Sequence, residues 1–210
     1  MSDIILYDYP KSSASYRVRI ALNLAGLPYQ AVQVNLLQRD HKGADHLARN
    51  PQGLVPVLEI DGHSFTQSLA ILDYLDQTRD LGLLPQEPAR RARVQALAYV
   101  LAVDLHPVCN LSVATHATGG TDPAHIKWMQ HFIRPGLLAF EALLAQFPQD
   151  TPFTTGPQPA LPDLCLIPQL YNADRWEVDY TDCPRIRAVQ STCATHPGFA
   201  AATPEAATPQ

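Results

Sequence analysis

Residues 10–26 read PKSSASYRVRIALNLAG, which sets Ser12, Ser13 and Ser15 directly in front of an apolar run that also carries Arg17 and Arg19. A helix beginning near Ser15 would have these hydroxyls around its N-terminus, where free backbone N–H groups and the aligned peptide dipoles favour negative charge. The chemistry suggested is the holding of an anion. The same residues also suit a plain polar turn, because serine is a leading N-cap. Other candidates are scattered. Gln67-Ser68 opens a second helical pattern, His41 stands in a polar stretch, and His106-Pro107 interrupts a third helix-like run, either as a kink with a packed histidine or as a site. Arg17 and Arg19, two apart on a helix, cannot face the same way, so one is expected to pair and the other to be exposed. No H-E-x-x-H spacing occurs among the eight histidines, and no metal site is expected. Cys109, Cys165, Cys183 and Cys193 form no C-x-x-C pair, so buried free thiols are expected instead of disulfides or a zinc knuckle.

The elements that must carry these residues follow from periodicity. IILYDY (residues 4–9) is a strand, residues 16–26 a helix closed by Gly26, and residues 29–36 a second strand. Residues 55–66 are a hairpin pivoting on Asp61-Gly62, and residues 67–78 a helix. The first 80 residues therefore spell βαβ, a variable segment, then ββα. From Pro88 onwards the periodicity is helical, over residues 90–114, 125–147 and 163–174, with no convincing strand between. Residues 78–88, with Gly82 and Pro85, form the natural linker. The tail, from residue 198 on, is poor in large apolar residues and is expected to be mobile.

Composition limits the possible partners. The chain has 210 residues, 46% of them hydrophobic, enough for a sizeable core. The net charge of −5 and the absence of a basic run argue against nucleic acid. The apolar runs fall well short of the roughly 20 residues that span a bilayer, so no membrane partner is expected. No secretory pattern opens the chain, which makes the cytoplasm the expected location.

NPQGLVPVLEIDG (residues 50–62) and TQSLAILDYL (residues 66–75) together resemble the N-terminal thioredoxin-like domain of the glutathione transferases. SSASYRVRIAL (residues 12–22) is similar to the S-S-C-S-x-R-V-R-I-A-L signature of the zeta class, the maleylacetoacetate isomerase family. HPVCNLSV (residues 106–113) and LPDLCLIPQLYNADRWEVDYTDCPRI (residues 161–186) resemble further segments of that class, and the likeness runs over most of residues 4–190.

The resemblance implies a glutathione transferase fold. Its α/β thioredoxin-like domain (βαβ-ββα) would cover residues 1–80 and bind glutathione; an all-α domain over residues 88–210 would bind substrate. It implies a homodimer, with each site in the cleft between a chain's own two domains. Ser12 would stabilise the glutathione thiolate, assisted by Ser13, within a contact segment that also includes Ala14, Ser15, Tyr16 and Arg17. His41, with Lys42, would hold the glycyl carboxylate. Val55, before a cis Pro56, would pair with the cysteinyl backbone by strand addition, and Gln67 and Ser68 would receive the γ-glutamyl end.

From the helical domain His106, Asn110, Leu111 and Ser112 would approach, while Lys11 and Arg175 would meet the carboxylates of a keto-dicarboxylate substrate. The implied reaction is the glutathione-dependent cis–trans isomerisation of maleylacetoacetate in tyrosine and phenylalanine catabolism. Maleylpyruvate, or other electrophiles such as α-haloacids, are the alternatives. Leu111-Ser112, where the maleylpyruvate branch tends to carry paired arginines, favours maleylacetoacetate. The sequence departs from the class at Ala14 (commonly Cys or Thr), at Lys11 (commonly Arg) and at Ala160 (usually Ser or Thr). The last forfeits a helix cap, leaving that helix to rely on Asp163.

Overall fold

The computed structural model describes residues 3–208, and in it the chain divides into two units. One joins Met1–Leu81 with His196–Gln210, and the other is Gly82–Thr195.

The first unit is built on a four-stranded sheet of order β2-β1-β3-β4, from β1 (Ile5–Asp8), β2 (Gln30–Gln33), β3 (Val57–Ile60) and β4 (His63–Thr66). β1 and β2 run parallel, and α1 (Ser13–Leu24) makes the crossover that a parallel pair requires. β3 runs antiparallel to β1 and returns as β4. Asp61 (φ 53°) and Gly62 (φ 76°) form that hairpin turn, in which both central residues take the positive φ of a type I′ turn. α2 (Ala44–Arg49) follows a 3₁₀ turn at Asp40–Lys42, and α3 (Ser68–Arg79) closes the unit's main body. Leu6, Val57 and Leu58 of the sheet, Val18, Ile20 and Leu22 of α1, and Ile71, Leu72 and Leu75 of α3 are buried. This α/β arrangement is the thioredoxin-like plan expected from the sequence.

The second unit is helical. α4 (Pro88–Tyr99) starts where Glu87 accepts the N–H groups of Ala89 and Arg90 at 2.8 and 2.7 Å. It loosens into a π turn over Val100–Leu105 before α5 (His106–Val108). Residues 90–114 are thus not one helix. Pro107 has no N–H to donate up the ladder, and Asn110 takes an extended conformation (ψ 138°) at the start of α6 (Leu111–Thr118). α7 (Ala124–Leu144), α8 (Leu161–Arg175) and α9 (Pro184–Thr195) complete the unit. Met129, Ile133, Leu137, Phe140, Leu164 and Ile186 lie in its core. No single helix among the described residues is long and apolar enough to cross a membrane.

α9 has no counterpart in the sequence reading. The Glu141 carboxylate of α7 accepts the N–H groups of Arg185 and Ile186 at 3.0 and 2.9 Å, so its cap comes from another helix. At α8, Ala160 offers no side-chain acceptor. Asp163, fully buried, accepts Ala160 N (2.8 Å), Thr154 N (2.9 Å) and Thr154 Oγ1 (2.9 Å), and so ties the preceding loop to the helix. Burial pushes its carboxyl up to about 6. All four cysteines are free and buried, as expected.

The tail corrects two expectations. It contains α10 (Pro197–Ala200) and α11 (Pro204–Ala207), and it groups with the first unit instead of the helical one. Phe199 and Ala202 are buried, and Asn23 Nδ2 and Arg19 Nε donate to the Gly198 and Ala202 carbonyls at 3.0 and 2.9 Å. Few large side chains are needed when backbone carbonyls are the contact groups. The last positions of the tail and of the domain ranges, residues 1, 2, 209 and 210, lie outside the described residues.

Candidate active site

α1 begins two residues earlier than the sequence suggests. Ser12 is its N-cap, and Ser12 Oγ accepts the N–H of Ser15 at 3.2 Å. The hydroxyl is half-buried and donates to no group among the described residues, so its proton remains available to an incoming anion. Ser13 and Ser15 are buried, and Ser15 Oγ has no hydrogen-bond partner among the described residues. Ala14 and Tyr16 are buried too, while Lys11 is exposed in the turn that precedes the helix.

Both arginines of this helix are buried, each 1% exposed, so the expectation that one faces solvent fails. Each has found an acceptor instead. Arg19 pairs with Asp8 at 2.7 Å, whereas Arg17 Nη1 donates to Ser68 Oγ at 3.2 Å. The latter bond links α1 to the first turn of α3. Gln67 holds the N-cap position there at φ 67°, makes no side-chain cap, and donates instead to Gln52 Oε1 at 2.7 Å. The first N–H groups of α3 therefore have no capping side chain among the described residues, and an anion placed there would meet them with Arg17 close by.

The peptide bond between Val55 and Pro56 is cis. The backbone N–H and carbonyl of Val55 make no hydrogen bond among the described residues, which leaves both free for an extended peptide. The carbonyl just before, that of Leu54, accepts both His46 Nε2 and Asn50 Nδ2 at 2.9 Å. His46 and Asn50 therefore fix the peptide plane that leads into Val55. They were missed in the sequence, along with Gln52. The only signal available was the Asn50-Pro51-Gln52-Gly53 run, which identifies a turn but not its acceptors.

His41 and Lys42 divide their work. Lys42 Nζ reaches the Gln52 and Gly53 carbonyls at 3.3 Å and so braces the loop. A Cβ on Gly53 (φ 60°) would meet His41 O and Lys42 Nζ at 2.8 Å, so only glycine fits beneath this brace. Burial, then the Lys42 ammonium, holds the His41 imidazole below its ordinary range. The uncharged ring is favoured by that shift, and it can hydrogen-bond an anion.

In the helical unit, His106, Asn110, Leu111 and Ser112 cluster around the break between α5 and α6, half-buried to exposed. Trp128 Nε1 pins that break through the Val108 carbonyl at 2.9 Å. Arg175 is exposed at the end of α8 with its guanidinium 5.6 Å from the Trp176 ring centroid, and it makes no ion pair among the described residues. Two neighbouring carboxylates are occupied elsewhere. Asp174 accepts Tyr180 OH (2.7 Å), and Asp179 accepts Thr181 N (2.9 Å).

Residues 2–77 match the profile of the glutathione S-transferase N-terminal domain. The chain is 52% identical over 212 residues to a protein named maleylacetoacetate isomerase from Rhizobium meliloti, covering 99% of both chains. It is similar in structure to the holo form of maleyl pyruvate isomerase, described as a bacterial glutathione S-transferase in the zeta class (TM-score 0.91, 38% identity, 96% of this chain and 97% of that one). It is also similar to a maleylacetoacetate isomerase from Anaeromyxobacter dehalogenans with bound glutathione in its active site (TM-score 0.86, 38% identity, 97% and 95% covered).

Proposed function

The chain belongs to the zeta class of the glutathione transferases, the maleylacetoacetate isomerase family, and from that membership we propose that it is a glutathione-dependent cis–trans isomerase of maleylacetoacetate. When bound, glutathione supplies a thiolate that adds reversibly to the substrate's double bond and leaves a single bond free to rotate.

The observation that carries this reading is Ser12 at the N-cap of α1 with its hydroxyl proton uncommitted. The hydroxyl donates to the thiol sulfur, and the α1 N-terminus favours the same negative charge, so both draw the bound thiol below the ordinary value near 8.5. The free Val55 backbone and the uncapped start of α3 both fit a bound tripeptide. Val55 pairs with its middle residue. Gln67, Ser68 and Arg17 receive the γ-glutamyl carboxylate, and His41 hydrogen-bonds the glycyl end. Ser13, Ala14 and Tyr16 complete the wall of this segment.

Lys11 and Arg175 take the carboxylates of the keto-dicarboxylate, with His106, Asn110, Leu111 and Ser112 as the helical unit's contribution. Leu111-Ser112, in place of paired arginines, favours maleylacetoacetate over maleylpyruvate. Four buried free thiols suit a reducing, cytoplasmic setting. Tyr99 and Val103, 38% and 48% exposed, are compatible with a homodimer.

The deciding experiment assays purified protein on maleylacetoacetate and maleylpyruvate, each with and without glutathione. Turnover of maleylacetoacetate that requires glutathione is the expected result. Turnover confined to maleylpyruvate would reassign the substrate, and turnover without glutathione would remove the thiolate mechanism.

A further inference from the structure

Resting on the glutathione reading, we infer that Arg19 is a positioning residue for the Ser12 turn, and that the C-terminal segment is a working part of the same site. Arg19 touches no ligand in this scheme. Its guanidinium, 1% exposed, ties the end of β1 and the turn that follows it to the tail: Nη1 donates to Asp8 Oδ1 and Oδ2 at 2.7 and 2.9 Å, Nη2 to Pro10 O at 2.8 Å, and Nε to Ala202 O at 2.9 Å.

The Pro10 carbonyl is the critical contact. Residues 9–12 form a turn closed by Ser12 N on Tyr9 O at 2.9 Å, and Pro10 O lies inside it. Fixing that peptide plane fixes where the chain delivers Ser12 to the start of α1. The hydrogen bond from Ser12 to sulfur depends steeply on distance and angle, so a small rotation of the turn weakens thiolate stabilisation without displacing the peptide's ends.

The guanidinium is planar and its N–H directions are rigidly related. Holding the Ala202 carbonyl on one edge therefore constrains the Pro10 carbonyl on the other. Asp8, wholly buried at the end of β1, supplies the counter-charge that lets such a cation sit here. The Tyr16 ring, 5.1 Å from the guanidinium carbon, gives it a π face. α10 holds the segment in place through Phe199, which is 2% exposed, and through the Asn23 bond to Gly198.

Arg19→Lys keeps a cation beside Asp8 but, as a single point, cannot reach all three directions. Phe199→Ala loosens the tail while substituting neither Arg19 nor any residue of the turn, so it carries the test if the lysine variant fails to fold. The readouts are the pKa of the bound glutathione thiol, from its ultraviolet thiolate absorbance, together with glutathione affinity by calorimetry, kcat and Tm. In both variants the bound thiol's pKa should rise by about one unit, a roughly tenfold loss of thiolate below that pKa. kcat should fall in parallel while glutathione affinity holds. A lowered Tm with an unchanged thiol pKa would show Arg19 and the tail to be merely structural and overturn the inference. Failure of the wild type to bind glutathione would overturn the underlying reading, and this inference with it, before any variant is compared.

Discussion

Ser12 Oγ stands 3.2 Å from the backbone nitrogen of Ser15 and accepts its hydrogen. One hydroxyl thereby does two jobs, because accepting the N–H caps α1 while the O–H proton stays free for a ligand. A charge-assisted hydrogen bond contributes about 1.5–3 kcal/mol, so Ser12→Ala should lower kcat by roughly ten- to hundredfold at saturating glutathione. Glutathione affinity by calorimetry should hardly change. The lost cap should also cost about 1 kcal/mol of stability. Ser13→Ala should lose less activity, and the reverse order would reassign the thiolate's partner.

Gln67→Ala should weaken glutathione binding by roughly three- to tenfold and leave kcat at saturation intact, since one neutral donor contributes about 0.5–1.5 kcal/mol. Alanine keeps the backbone strain at φ 67°. Gln67→Gly relieves it and should raise Tm, so titration calorimetry and thermal melting together separate the binding role from the backbone role. Gln52→Ala, which removes only the 2.7 Å partner, should give a smaller loss of affinity.

Arg175→Met should raise KM for the keto-dicarboxylate by roughly tenfold and leave glutathione affinity alone. Methionine keeps much of the packing against Trp176, and no ion pair is broken, so Tm should stay put. Unaltered kinetics with a lower Tm would show the guanidinium to be structural.

Asp163 makes a prediction about pH. Its folded carboxyl titrates at about 6 against an ordinary 3.8, so folding takes up a proton between those values. Stability from this group is fully present below the unfolded pKa and is lost as pH rises through the folded one. The unfolding free energy of wild type minus that of Asp163→Asn should accordingly fall between pH 4 and pH 7, by on the order of 3 kcal/mol. Denaturant melts across that range would measure it, and a difference that rises with pH would place the folded pKa below 3.8.

The alternation of the strands, the Asp61-Gly62 turn and the apolar spacing of α1 and α3 were enough to spell the βαβ-ββα order, because these are local properties of consecutive residues. The run SSASYRVRIAL, read with the Val55-Pro56 and Gln67-Ser68 segments, was enough to point to the family and to nominate the site. Other features were invisible because each joins residues far apart in the chain. α9 starts on a carboxylate from α7, Arg19 is buried because Asp8, Pro10 and Ala202 converge on it, and a tail of small residues is ordered by offering carbonyls instead of side chains. Hydrophobic periodicity reports which face of an element is buried. It carries no information about which distant backbone group will satisfy a buried charge or an open helix end, and that pairing exists only once the chain has folded.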